Sequence, residues 1–80
     1  MKIFSHDSTG NKTPIDFDSF TFAGGEEHIR FNPMDFATTL KIEIFERLTD
    51  SSKLVKLMVA VDALKRLSNE ATPIELVIPY

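Results

Sequence analysis

Cysteine and tryptophan are absent from the eighty residues, glycine occurs three times, and tyrosine once. Without cysteine there are no disulfides, no cysteine-ligated zinc, no iron–sulfur cluster and no thiol catalysis. Charge of one sign is also lacking: nine basic residues stand against twelve acidic ones, for a formal net charge of −3. Such a balance gives no electrostatic reason to expect a nucleic-acid or anionic-membrane partner. No apolar run approaches the ~20 residues needed to span a bilayer. The start, Met1-Lys2-Ile3-Phe4-Ser5-His6-Asp7, turns polar too soon for a signal peptide. The expectation is a soluble, intracellular, cytoplasmic protein.

The rest of the composition is ordinary for a globular chain, with 42% hydrophobic and 26% charged residues. Eighty residues suffice for one domain. A chain this short buries only about 60–65% of its unfolded surface. Its stability must come from good packing or from another copy of the chain.

No internal repeat or low-complexity tract interrupts the sequence. Lys2 to Phe4 predicts a short strand, and the polar stretch Ser5 to Pro14, with Gly10 and Asn11, predicts a loop or turn. Ile15-Asp16-Phe17-Asp18 alternates apolar and acidic residues. Phe20-Thr21-Phe22 alternates again after a phase shift at Ser19, which predicts strand with a bulge. Ala23-Gly24-Gly25-Glu26 supplies turn residues before the alternating Glu27 to Phe31, so a β-hairpin centred on Gly24 and Gly25 is expected. Asn32-Pro33 breaks the pattern.

Leu40-Lys41-Ile42-Glu43-Ile44 alternates cleanly and extends through Phe45 towards Leu48, predicting a strand. Thr49-Asp50-Ser51-Ser52 offers helix caps ahead of Leu54, Leu57, Met58, Val61, Leu64 and Leu67, which recur at helical spacing. Ser68-Asn69-Glu70 ends that helix, and Ile74 to Ile78 predicts a strand stopped by Pro79. A strand, a helix and a strand in this order predict a parallel, right-handed βαβ crossover. The fold class expected is α/β, a single domain over 1–80 with a hairpin region at 1–39 and a βαβ unit at 40–80.

Candidate chemistry is sparse. His6 and His28 lie on different elements, without an acid at a recognised metal-ligand spacing; they read as catalytic groups or as surface residues. The Gly24-Gly25 pair reads as a phosphate cradle or as a plain turn, and no Walker lysine or GxGxxG accompanies it. Glu26 and Glu27 read as ligands for a metal or a nucleobase amine, or as solvated turn residues. Thr49 to Ser52 reads as an anion-binding helix start or as a cap. The Val55 to Leu67 stripe is core packing.

Several segments together resemble the ribose-phosphate pyrophosphokinases. Phe22-Ala23-Gly24-Gly25-Glu26, followed by the Ile29 to Phe31 strand, is similar to the family's Phe, small residue, Asp, Gly, Glu motif. Ser51-Ser52 with Leu54 to Met58 and Val61-Asp62-Ala63-Leu64-Lys65-Arg66 looks like the family's first long helix. Ile74 to Tyr80 looks like the strand after it. The resemblance covers about residues 20–80. It implies part of a phosphoribosyltransferase-like fold, and an activity that moves pyrophosphate from ATP to the C1 hydroxyl of ribose 5-phosphate with Mg²⁺, releasing AMP. By position, Phe22 would stack on the adenine of ATP and Glu26 would accept from an amine or hydroxyl. Gly24 stands where the family has Asp and cannot make that polar contact.

The family's aromatic-Arg loop, metal-binding histidine, flexible catalytic loop and ribose-phosphate loop have no counterpart here. Phosphoryl-type transfer depends on charge neutralisation and positioning by such groups. The resemblance therefore implies an amino-terminal fragment or truncated homologue, inactive alone. The alternative is a non-catalytic interaction module that associates with itself or with a full-length family member; a third reading is a small α/β domain without that kinship. With one long helix and two apolar strands, one sheet face should stay open, which predicts a homodimer or higher oligomer.

Overall fold

A computed structural model describes residues 1–68 and 72–79. Asn69, Glu70 and Tyr80, named above at the helix end and the last strand, lie outside the described residues. The chain opens with β1 (Lys2–His6), which turns at Asp7 into β2 (Lys12–Pro14). The Asp7 carboxylate fixes that turn by accepting from the Thr9 hydroxyl at 2.6 Å, the Thr9 amide at 2.9 Å and the Asn11 amide at 3.0 Å. Residues Ser5 to Pro14 are thus not the loop expected. β2 has no apolar alternation to betray it. It forms because the Asp7 turn delivers it antiparallel to β1, at a sheet edge where Pro14 lacks no ladder partner.

Next come β3 (Phe17–Thr21) and β4 (Glu27–Phe31), a hairpin in the expected place. Pairing runs without interruption from Phe17↔Phe31 to Thr21↔Glu27, so the bulge expected at Ser19 is absent. The phase shift has another cause: the hairpin is apolar on both faces. Phe17, Ile29 and Phe31 share the face packed on the core, while Phe20 and His28 share the opposite one.

A short 3₁₀ turn (Pro33–Phe36), capped by the Asn32 side chain, leads to β5 (Lys41–Phe45). The helix α1 (Ser51–Leu67) and β6 (Ile74–Val77) follow. Asp50 caps α1 by accepting from the Lys53 amide at 3.0 Å. Lys65 and Arg66 sit in its last turn, where cations complement the helix dipole. The main sheet has the order β2-β1-β5-β6, antiparallel except for the adjacent parallel pair β5 and β6. The architecture is mixed α/β.

One face of this sheet supplies Ile3, Ile42 and Ile44 to a core completed by Leu57, Ala60 and Leu64 of α1 and by Ile15, Phe31 and Phe36. The hairpin packs beside the helix through β4. The helix buries a narrower face than its sequence stripe implies: Leu54 is half exposed and Met58 is 63% exposed. Among the described residues no other element covers the opposite sheet face, and its own side chains shelter it. Phe4 and Phe45 meet edge to face at 5.7 Å, with the Lys12 ammonium 4.3 Å from the Phe4 ring centre. Among the described residues no helix is long and apolar enough to cross a membrane.

Candidate functional site

The tip of the hairpin is built by backbone hydrogen bonds: the Gly25 amide donates to the Phe22 carbonyl and the Phe22 amide to the Glu26 carbonyl, both at 2.9 Å. Gly25 has φ +81°, the left-handed conformation that glycine adopts without steric cost. Gly24 is not in that region. The turn projects Phe22 into solvent, with 51% of its surface exposed. The Glu26 side chain is 74% exposed.

Strand alternation then gathers an aromatic cluster behind the tip. The His28 ring stacks on Phe20 at 5.6 Å and 11° and meets Phe22 at 4.4 Å. The Phe20 and Phe22 rings are edge to face at 5.2 Å. The Arg30 guanidinium lies 5.7 Å from the Phe20 ring centre. His28 Nε2 stands 3.5 Å from Glu26 Oε1, an ion-pair distance without hydrogen-bond geometry, and among the described residues this buried nitrogen has no hydrogen-bond partner. The cluster borders a groove of about 510 Å³ whose far wall is Ala63, Arg66 and Leu67 of α1. The Arg66 guanidinium donates to Asp62 at 2.6 Å, which leaves the remaining donors of its fork for other acceptors. An exposed aromatic ring, a half-exposed imidazole and two guanidinium groups suit a flat, electron-rich ligand carrying negative charge.

The two residues singled out by resemblance, Phe22 and Glu26, thus sit together at the tip. Sequence reasoning left out Phe20, Arg30 and Arg66 and gave His28 no partner. The signal for most of them was present: Phe20, Phe22, His28 and Arg30 fall on one face once the strands are paired about the glycines. Arg66 comes from a distant helix and had no such signal.

The other candidates resolve into structural roles. Glu27 accepts from the Thr21 hydroxyl at 3.1 Å across the hairpin. Asp50 acts as a cap. His6 Nε2 is 3.3 Å from Glu43 Oε1, and Lys12 Nζ is 3.2 Å from the same oxygen, on the sheet face away from the core. Burial pushes the Glu43 carboxyl up, but hydrogen bonds and charge from Lys12 and His6 outweigh it and hold the group below its ordinary range. Among the described residues, no three His, Asp or Glu side chains converge as a metal site. No family model matches this chain, and neither a curated protein nor a solved structure does.

Proposed function

We propose that this chain is the amino-terminal part of the first domain of a ribose-phosphate pyrophosphokinase-like protein, and that its hairpin is an adenine-facing binding element. The observation that carries this reading is the exposed Phe22 ring at the hairpin tip, backed by His28 and flanked by Glu26. In this reading β5, α1 and β6 form the right-handed βαβ unit of a phosphoribosyltransferase-like fold, and the protein works in the cytoplasm. Phe22 stacks on the base, and Glu26 accepts from its amine or from a ribose hydroxyl.

The eighty residues bind rather than transfer pyrophosphate. Among the described residues no three His, Asp or Glu side chains converge on one point, and no step is assigned to the family's Mg²⁺. Equilibrium titration of the pure chain with ATP tests the reading. Binding should weaken about 5- to 150-fold in Phe22→Ala, since stacking on an aromatic ring is worth about 1–3 kcal/mol. Gly24→Asp, which restores the family's acid, should tighten it. Unchanged affinity in Phe22→Ala would remove the adenine role. AMP release from ATP and ribose 5-phosphate above the buffer background would overturn the claim that the chain does not catalyse.

A further inference from the structure

Twelve acidic residues outnumber nine basic ones in this chain, yet the groove between the hairpin and α1 reverses that balance. Arg30, Arg66 and His28 line it together with Phe20 and Phe22, and among the described residues no carboxylate does. Its volume of about 510 Å³ lies within the roughly 300–1,000 Å³ typical of small-molecule sites. The nearby acids are placed elsewhere. Asp62 accepts from Arg66 at 2.6 Å, which occupies one of the five N–H donors of that guanidinium. Asp18 stands opposite Arg30 in the strand register, but among the described residues Arg30 has no carboxylate at ion-pair distance. Its guanidinium lies instead 5.7 Å from the Phe20 ring centre. Two guanidinium groups that share a groove without an acid repel each other, and a bound anion relieves that repulsion.

We infer that Arg30 and Arg66 form a phosphate subsite beside the hairpin tip, so that a nucleoside polyphosphate is held by base and phosphates within one chain. This rests on the reading of Phe22 as the surface on which the base stacks. Tip and subsite lie along one face: His28 pairs with Phe20 and touches Phe22, and Arg30 follows two residues later on the same side of β4. At ~3.4 Å per residue, that step is about 7 Å. It suits the ribose that separates a base on Phe22 from its phosphates. Guanidinium groups fit the task, because their planar fork meets phosphate oxygens in pairs and their charge does not titrate away. Arg66 reaches the groove from α1, so helix and hairpin hold the phosphates from two sides. Single-stranded nucleic acid also stacks its bases on aromatic rings. The formal net charge of −3 disfavours such a long polyanion and leaves the single nucleotide as the occupant.

Separate probes tell this inference apart from the reading it rests on. Calorimetric titration of the eighty-residue chain in metal-free buffer should rank ATP above AMP and AMP above adenosine, with ATP about tenfold tighter than adenosine. Arg30→Gln and Arg66→Gln should each weaken ATP by about three- to tenfold and leave adenosine unchanged. Both residues are exposed, so the variants should fold. Lys65→Gln removes the same charge from the neighbouring position, which lines a different groove on α1. At ~0.15 M salt, where charges more than about 8 Å apart are largely screened, it should leave ATP affinity unchanged. Adenosine held through Phe22 with ATP no tighter would overturn the phosphate subsite and leave base stacking intact. Inorganic tripolyphosphate bound in a manner that needs Arg30 and Arg66, with adenosine not bound at all, would uphold the subsite and overturn the base reading. Equal losses in Arg66→Gln and Lys65→Gln would overturn the proposal, as would a short oligoadenylate binding about tenfold tighter than ATP.

Discussion

Gly24 and Gly25 are neighbours of identical composition, yet the fold asks different things of them. A Cβ at either position meets nothing within 4 Å, so space does not distinguish them. Backbone conformation does: only Gly25, at φ +81°, occupies the region that L-residues avoid. Gly25→Ala should therefore destabilise the chain by about 1–2 kcal/mol, the ordinary cost of a left-handed residue with a Cβ. Gly24→Ala should leave the urea midpoint nearly unchanged. This asymmetry also clears Gly24→Asp as a probe of nucleotide affinity, since any change in binding would then reflect the added carboxylate.

Among the elements, α1 was the easiest to find in the sequence and the hardest to orient. Its apolar residues wrap well beyond a narrow stripe, so periodicity announces a helix but does not select the buried side. Ala60, a small residue, is fully buried at the centre of the contact, with Leu57 and Leu64 on either side along the same face. The larger Leu54 and Met58 stay at the surface and line the groove beside β6. Leu57→Ala or Leu64→Ala should cost about 2–5 kcal/mol, the range for truncating a buried leucine. Met58→Ala should stay within about 0.5 kcal/mol, as surface changes do. Chemical denaturation of the three variants checks this, and equal losses would mean that the packed face is wrong. The strand pair β5 and β6 was legible because alternation and a stop at proline are local signals. β2 was not legible: Lys12-Thr13-Pro14 has no strand pattern, and only the Asp7 turn and the neighbouring β1 make it one. The hairpin site lies between these cases, since its tip follows from the glycines while its Arg66 wall arrives by packing.

For the molecule as a whole, three hydrogen-bonded carboxylates make stability depend on acid. Glu43 is held below its ordinary 4.5 against the effect of burial, by Lys12 and His6. Asp50 is held below 3.8, chiefly by the Lys53 amide, and Asp7 below the same value, chiefly by the Thr9 hydroxyl. A carboxyl whose folded pKa is depressed adds stability above its unfolded value and loses it as the pH falls through the folded one. The melting temperature should accordingly fall as the pH drops through and below 4.5. Glu43→Gln should melt lower than the natural chain at neutral pH and show a shallower acid decline. Parallel acid profiles for the two proteins would discard Glu43 as a contributor.

The place of β1 in the interior of the sheet has a consequence for how the chain acquires its shape. Its two neighbours lie at very different distances in sequence: Phe4 meets Pro14 on one side, but Lys2 meets Phe45 on the other. The first contact can form as soon as a few residues beyond the Asp7 turn exist. The second closes a loop of some forty residues, an entropic cost on the order of 3 kcal/mol. During synthesis β1 therefore has one flank bare while the hairpin and β5 are made, and β2, β5 and β6 join the sheet outward from β1 in the order in which they are synthesised.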